Sequence, residues 1–189
     1  MAGPTTTRFR DGLLTGRTVL VAPGDGVLAK AVADTVRDLG ARVEALDAAD
    51  LLDEPATREA VGSAAKRAGG LATVVVDAAS LFEGGLRPAL DGAWVLARAA
   101  ATEAMIGSPE GGKLVVIAPA PDRGDHAEAV RAGLENLART LSIEWARHQI
   151  RATAIAPGPE TAPEEIASLV AYLASPAGDY FSGACFSLS

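Results

Sequence analysis

Apolar spacing in the second half of the chain predicts a long helix followed by a buried strand. Between residues 128 and 147 the apolar side chains recur at intervals of three and four, which keeps them on one helix face. These positions are Val130, Leu134, Leu137, Leu141 and Trp145. The next apolar run, Ile150–Ala156, is short, contains β-branched residues and ends at a Pro-Gly turn, as expected for a strand buried on both faces.

Strand-like apolar runs and helix-like apolar spacing alternate along the rest of the chain. Strand-like runs occupy Thr18–Ala22 and residues 43–46, 72–77, 113–118 and 184–188, and helical spacing covers 27–39, 50–70, 90–106 and Pro163–Ala174. Such alternation predicts an α/β protein with a doubly wound parallel sheet and helices on both faces, a three-layer Rossmann-like fold. The length favours a single domain over residues 13–189, preceded by a flexible arm at residues 1–12.

Composition excludes several classes of function. The formal net charge of −7 argues against nucleic acid or an anionic membrane as the main partner. Cys185 is the single cysteine, so the sequence contains no disulfide framework and no cysteine-based metal motif. No run approaches the roughly 18 apolar residues of a membrane-spanning helix, and the N-terminus lacks an apolar signal core. We expect a cytoplasmic protein without a metal site.

The first strand, turn and helix have the plan of a nucleotide-binding unit. Gly24-x-Gly26-x-x-Ala29 fits a G-x-G-x-x-G/A turn, and Asp47 follows on the second strand. Asp25 opposes this function, because it places a carboxylate where a phosphate would bind at the positive end of a helix. The turn is therefore either a plain connector or a degenerate nucleotide site. The candidate cofactor-binding residues are Gly24, Gly26, Asp47, Asp77, Ala78 and Pro157.

Residues 126–159 resemble the short-chain dehydrogenase/reductase family, and within it the 3-oxoacyl-[acyl-carrier-protein] reductases. Weaker similarity covers nearly the whole chain. The resemblance implies a Rossmann-like fold and hydride transfer with NAD(H) or NADP(H). The matching residues are Ala132-Gly133-Leu134, Arg139, Leu141, Glu144-Trp145-Ala146, Ile150-Arg151-Ala152 and Ala156-Pro157-Gly158.

The chain departs from this family at the positions that carry its chemistry. Where the family has Tyr-x-x-x-Lys, this sequence has Ala127 and Arg131, and no Tyr-x-x-x-Lys occurs elsewhere. Ala89 stands for the family's asparagine and Pro119 for its catalytic serine. The substrate-binding lid that follows Pro157 in the family is absent. The resemblance therefore implies a truncated, degenerate member that lacks the Ser-Tyr-Lys residues.

Three functions remain open at this point. The leading hypothesis is a non-catalytic subunit or scaffold that associates with itself or with an active reductase. Its partner surface would be helices 90–106 and 128–147, which resemble the family's dimer helices, and no bound cofactor is expected. The alternatives are an NAD(P)-dependent oxidoreductase with altered catalytic residues and a sensor that binds a nucleotide or an acyl ligand.

Overall fold

The computed structural model describes residues 9–47 and 51–189, which form a six-stranded parallel sheet with the order β2-β1-β3-β4-β5-β6. The predicted doubly wound α/β fold is confirmed. The strands are β1 (Thr18–Ala22), β2 (Arg42–Ala45), β3 (Thr73–Asp77), β4 (Gly112–Ile117), β5 (Ile150–Ala156) and β6 (Cys185–Ser187). The helices are α1 (Val27–Asp38), α2 (Glu54–Ala68), α3 (Ala78–Leu81), α4 (Leu86–Ala100), α5 (Ala127–Glu144) and α6 (Pro163–Ala174).

Alternate residues of the central strands supply two separate apolar cores. Leu20, Val74 and Leu114 belong to the core beneath α2, α4 and α5. Val19 and Val75 belong to the core beneath α1 and α6. Because β1, β3 and β4 are buried along their whole length, they read as continuous apolar runs rather than as alternating ones.

The strand order reverses between β1 and β3. The chain leaves β1 through α1 towards β2 at one edge, and from β3 onward each crossover leads towards β6 at the other edge. The connections on the two sides therefore diverge at the carboxyl ends of β1 and β3, which opens a crevice there in doubly wound sheets. The fold thus places the candidate site at this edge of the sheet.

Several element boundaries differ from the predictions, and at the start of α2 the reason is a local cap. Helix α2 begins at Glu54, after the Asp53 side chain accepts a hydrogen bond from the Ala56 amide, rather than at residue 50. The predicted helix 90–106 begins earlier, at Leu86, and ends in a π-helical turn, Ala101–Met105. The short helix α3 was not predicted.

The predicted N-terminal arm falls only partly within the described residues. Most of the predicted arm, residues 1–12, lies outside the described residues, and within the described part Phe9 packs against the core beneath α1 and α6.

Between β5 and α6 the chain has only residues 157–162. This direct connection agrees with the expectation that no helical lid is inserted there.

Candidate active-site crevice

A crevice of about 410 Å³ lies at the carboxyl edge of the sheet, where the connections diverge. It is built by the β1–α1 turn and by the segments that follow β3, β4 and β5. Three of the candidate residues, Gly26, Asp77 and Pro157, line it. The remaining lining residues are Val27, Leu28, Ala79, Ser80, Glu83, Ala118, Ala120, Asp122, Arg123, Gly158, Pro159, Thr161, Pro163 and Ile166.

Asp77 is fully buried at the end of β3, and its carboxylate is engaged by the next turn of the chain. Its Oδ2 accepts a hydrogen bond of 2.7 Å from the Ser80 hydroxyl, and its Oδ1 accepts one of 3.1 Å from the Ser80 amide. Burial raises the pKa of this carboxyl, and the hydrogen bonds from Ser80 partly oppose that shift. Asp77 therefore caps α3 rather than presenting a free carboxylate to a ligand.

The two turn glycines serve different purposes. A Cβ atom on Gly24 would lie 2.6 Å from the Cβ of Ala45, so this glycine allows the turn to pack against β2. A Cβ atom on Gly26 would lie 3.1 Å from the Ser80 Oγ, at the floor of the crevice. The exposed Val27 side chain follows at the first position of α1, where a pyrophosphate would approach the helix.

Gly24 and the other two candidate cofactor residues, Asp47 and Ala78, lie outside this cavity lining. Asp47 is exposed, directly after β2 and beside the turn, since the Gly24 amide donates a hydrogen bond to the Leu46 carbonyl. Ala78 is fully buried in the core beneath α4.

The charges around the crevice do not suit a dinucleotide. Its ionisable lining residues are Asp77, Glu83, Asp122 and Arg123, and Arg123 is paired with Glu83 at 3.1 Å. A pyrophosphate would therefore meet an excess of carboxyl groups without a free cation in the lining, in addition to the Val27 side chain. The residues present do not fit an NAD(P) pyrophosphate bound over the helix α1 N-terminus.

Arg131 joins three elements beside the crevice. Its Nη1 donates hydrogen bonds of 2.7 Å to the carbonyl oxygens of both Pro119 and Pro157, just beyond the ends of β4 and β5. Its Nε lies 3.7 Å from a carboxylate oxygen of Glu128, and only 16% of its side chain is exposed. A guanidinium keeps its proton throughout the physiological pH range, so this residue can hold carbonyls but cannot exchange a proton.

The other predicted lost positions are apolar and buried. Ala127 lies one helical turn before Arg131 on α5, and Ala89 lies within α4, and each is at most 1% exposed. The backbone carbonyl of Pro119 accepts a hydrogen bond from Arg131, and its side chain offers no polar group. His126, directly before α5, is exposed and has a left-handed backbone with φ of 69°.

No tyrosine stands at this edge of the sheet. The chain has two tyrosines, Tyr172 and Tyr180, and both lie in the described part. Their neighbours Leu173 and Asp179 bind Lys113 near the start of β4, so both tyrosines lie at the amino ends of the strands. The crevice therefore has no phenol to donate a proton.

Sequence reasoning missed three features of the crevice, which involve Ser80, Thr161 and the ion pair between Glu83 and Arg123. Ser80 closes the turn after β3, and Thr161 accepts a hydrogen bond of 2.9 Å from the Gly158 amide. The Asp77-x-x-Ser80 spacing is a capping signal that could have revealed the short helix α3. The ion pair between Glu83 and Arg123 joins loops 40 residues apart and leaves no local signal.

Structural neighbours share this architecture across nearly the whole chain. A short chain dehydrogenase from Mycobacterium smegmatis superposes with a TM-score of 0.82 at 24% identity, covering 95% of each chain. The citronellol catabolism dehydrogenase of Pseudomonas aeruginosa PAO1 gives 0.79 at 23% identity, covering 95% of this chain and 96% of that one. The hydroxysteroid dehydrogenase from Escherichia coli gives 0.79 at 19% identity, with 95% and 98% covered. The chain has the short-chain dehydrogenase fold.

Sequence comparison adds one partial match to this fold. The chain is 35% identical over 92 residues to the probable 2,4-dienoyl-CoA reductase [(2E)-enoyl-CoA-producing] of Bacillus subtilis (strain 168), covering 33% of this chain and 36% of that protein. It thus spans about a third of the length of the curated relative that it matches. No protein-family model matches the chain.

Two further structural findings bear on predictions made from the sequence. Among the described residues, no three histidine, cysteine or acidic side chains are grouped so that they could hold a metal ion. In the same part of this short-chain dehydrogenase fold, none of the helices is both long and apolar enough to cross a membrane.

Proposed function

We propose that this chain is a non-catalytic protein of the short-chain dehydrogenase fold that acts by association. The observation that carries the proposal is Arg131, whose guanidinium is bound to two backbone carbonyls at the position where the family's Tyr-x-x-x-Lys has its lysine. Ala127 replaces the expected phenol, and both tyrosines lie at the opposite edge of the sheet. Hydride transfer to a carbonyl needs a proton donor, and the crevice contains no phenol that could donate the proton.

Helices α4 and α5 provide the surface for association. A Cβ atom on Gly133 would lie 2.8 Å from a side-chain carbon of Leu90, so the two helices pack in direct contact. Trp94 on α4 and Trp145 at the end of α5 stack with ring centroids 6.5 Å apart. The side chains of Trp94 and Ile143 remain 42% and 72% exposed. Exposed aromatic and aliphatic side chains on packed helices favour a protein partner.

The partner that we propose is a second copy of this chain. The same two helices would meet their counterparts across a two-fold axis, as in most homodimers. An active reductase of the same fold is the alternative partner, and it would present a matching pair of helices.

A second candidate function is an NAD(P)-dependent oxidoreductase of the 3-oxoacyl or enoyl reductase type. Two observations favour it: the crevice persists at the reversal of strand order, and the proteins compared above are named as dehydrogenases or as a reductase. In this function an unconventional group would have to replace the missing phenol. The acidic lining of the crevice and the exposed Val27 oppose it.

Catalysis is tested by incubating the purified chain with NADH or NADPH and an enoyl- or 3-oxoacyl-CoA. We expect no substrate-dependent oxidation of either cofactor and no saturable cofactor binding by calorimetry. Substrate-dependent oxidation that rises in proportion to the amount of chain and is abolished when the chain is heat-denatured would overturn the non-catalytic proposal and establish the oxidoreductase.

Association is tested separately by light scattering after size-exclusion chromatography. We expect a dimer for the natural chain and a monomer for Ile143→Asp, because a carboxylate would be buried in the interface. Val27→Asp is the matched control, since Val27 is 79% exposed at the start of α1, on the opposite face of the sheet from α4 and α5. A natural chain that is monomeric at every concentration measured would refute self-association, as would equal loss of the dimer in both variants.

A further inference from the structure

A second cavity, of about 400 Å³, lies at the amino edge of the sheet, opposite the crevice. Its polar walls come from the segments that precede β1, β4 and β5 and from the turn after α6. Arginine, lysine and acidic side chains dominate its lining. The charged residues are Arg17, Glu110, Lys113, Arg151 and Asp179.

Lys113 and Asp179 neutralise each other in this cavity. The ammonium group is 7% exposed and lies 2.6 Å from the Asp179 Oδ1. It also donates hydrogen bonds to the carbonyl oxygens of Leu173 and Ser175, at 2.9 and 2.5 Å. All three N–H groups of Lys113 are thus engaged, so this pair is a structural anchor and not a free cation.

The lining holds three cations, Arg17, Lys113 and Arg151, and two carboxylates, Glu110 and Asp179, so one positive charge is left in excess. Arg151 donates from its Nε to the Asp179 carbonyl at 2.8 Å and from one Nη to the Gln149 carbonyl at 3.4 Å, which fixes its plane but leaves its charge unpaired. The Arg17 side chain forms no hydrogen bond or ion pair with any residue in the described part. Both guanidinium groups act on Lys113, and their repulsion contributes to a lowered pKa of its ammonium group. Burial of Lys113 is the larger cause.

The walls of this cavity are already in place. Gly111 has a positive φ of 66°, and a Cβ atom there would lie 2.3 Å from the Gln149 carbonyl oxygen. The loop before β4 is therefore packed tightly against the start of β5. A site whose walls are held in this way loses little conformational entropy when a ligand binds.

We propose that this cavity binds a phosphate group, with Arg17 as its main ligand and Arg151 as the second. Planar guanidinium groups match the spacing of phosphate oxygens and bind them through paired, charge-assisted hydrogen bonds. An anion here would balance the positive charge that is in excess in this lining, in a chain whose formal net charge is −7. The site stands independently of the proposed association and of any chemistry at the carboxyl edge.

The test is calorimetric titration with inorganic phosphate and, separately, with glycerol 3-phosphate, at constant ionic strength made up with chloride. We expect saturable binding by the natural chain and about tenfold or greater weakening in Arg17→Gln, because a charged hydrogen-bonding partner is lost. Arg87→Gln is the matched control. This substitution removes an arginine charge from a side chain on α4 that is 87% exposed. The variant should bind phosphate with the same affinity as the natural chain.

The Arg17 side chain forms no hydrogen bond or ion pair in the described structure, and its charge acts on Lys113 and Asp179 in opposite senses, so Arg17→Gln should keep its melting temperature without phosphate. Tighter binding of glycerol 3-phosphate would assign the site to a phosphate monoester, and equal binding would assign it to free phosphate. Absence of saturable binding, or equal weakening in both variants, would overturn the proposal and indicate a general salt effect.

Discussion

The Nη1 atom of Arg131 lies 2.7 Å from the carbonyl oxygen of Pro157, and this contact ties α5 to the end of β5. The same atom reaches Pro119 after β4, so one side chain fixes the ends of two strands. In an enzyme, a cation at this position would need to be available to a substrate or cofactor. Here its strongest contacts are to the backbone, which makes Arg131 part of the framework.

Removing this clamp is expected to destabilise the fold. We predict that Arg131→Ala lowers the free energy of unfolding by about 2 kcal/mol, because two carbonyl groups lose a charged donor. Arg139→Ala on the same helix should cost less than about 0.5 kcal/mol, since its i,i+4 pair with Glu135 is exposed. Urea denaturation of both variants measures the difference. Equal costs would show that Arg131 contributes no more than a surface pair.

The same glycine-to-alanine change is expected to have opposite effects in the turn and in α2. We predict that Gly24→Ala lowers the free energy of unfolding by about 1–3 kcal/mol, because the new methyl group would overlap Ala45. Gly62→Ala should raise it by about 0.5–1 kcal/mol, because alanine is the better helix former and its nearest neighbour would lie 3.7 Å away. Thermal unfolding of the two variants provides the comparison. A stabilising Gly24→Ala would mean that β2 moves aside readily.

Asp179 is expected to stabilise the protein in a pH-dependent manner. Its pKa is held below 3.8: burial alone would raise it, but the hydrogen bond and charge of Lys113 outweigh burial. A carboxyl with a depressed folded pKa adds stability above its unfolded pKa and loses it as the pH falls through the folded value. Asp179→Asn should therefore cost about 1 kcal/mol at neutral pH, a modest value because solvent screens this partly exposed pair.

Denaturation of Asp179→Asn and the natural chain across the acid range provides the measurement. The two free energies of unfolding should converge only as the pH falls below the depressed folded pKa of Asp179, where this carboxyl is protonated in both states. A difference that stays constant down to the lowest pH would contradict the electrostatic origin of the effect.

Asp77 is expected to have the opposite pH dependence. Burial raises its pKa above 3.8, so the folded state binds more protons than the unfolded state in the interval between the two values. Its contribution to stability is greatest at low pH and falls as the pH rises through that interval. An asparagine side chain at this position could keep the bond from the Ser80 amide without a buried charge. The Asp77→Asn variant should therefore become more stable, relative to the natural chain, as the pH rises from acid to neutral.

Chemical denaturation of the same pair from acid to neutral pH tests this expectation. Asp77→Ala is the control, because it loses the cap of α3 and should be less stable than Asp77→Asn at each pH. Parallel pH profiles for Asp77→Asn and the natural chain would show that the Asp77 carboxyl titrates normally.

The central strands of the sheet could be predicted from sequence because they are buried on both faces. Continuous apolar runs identified Thr18–Ala22 and Ile150–Ala156 to the residue. Helix α3 escaped prediction because a single Asp77–Ser80 cap determines it, and four residues carry no periodicity.

The candidate site was harder to predict than the fold. The spacing of Ala127 and Arg131 indicated that Tyr-x-x-x-Lys is absent, but not what Arg131 does instead. Its bonds reach carbonyls 12 and 26 residues away. Such contacts depend on how far a long side chain extends across the folded sheet, which periodicity does not encode.

The stacked indoles of Trp94 and Trp145 make the α4–α5 surface optically distinct. The chain contains two tryptophans, and these are the pair. Intrinsic tryptophan emission therefore reports on this one surface and hardly on either cavity. A partner that covers the half-exposed Trp94 would change that emission, whereas phosphate at the amino edge would leave it unchanged. The protein thus carries its own spectroscopic label for distinguishing association from ligand binding.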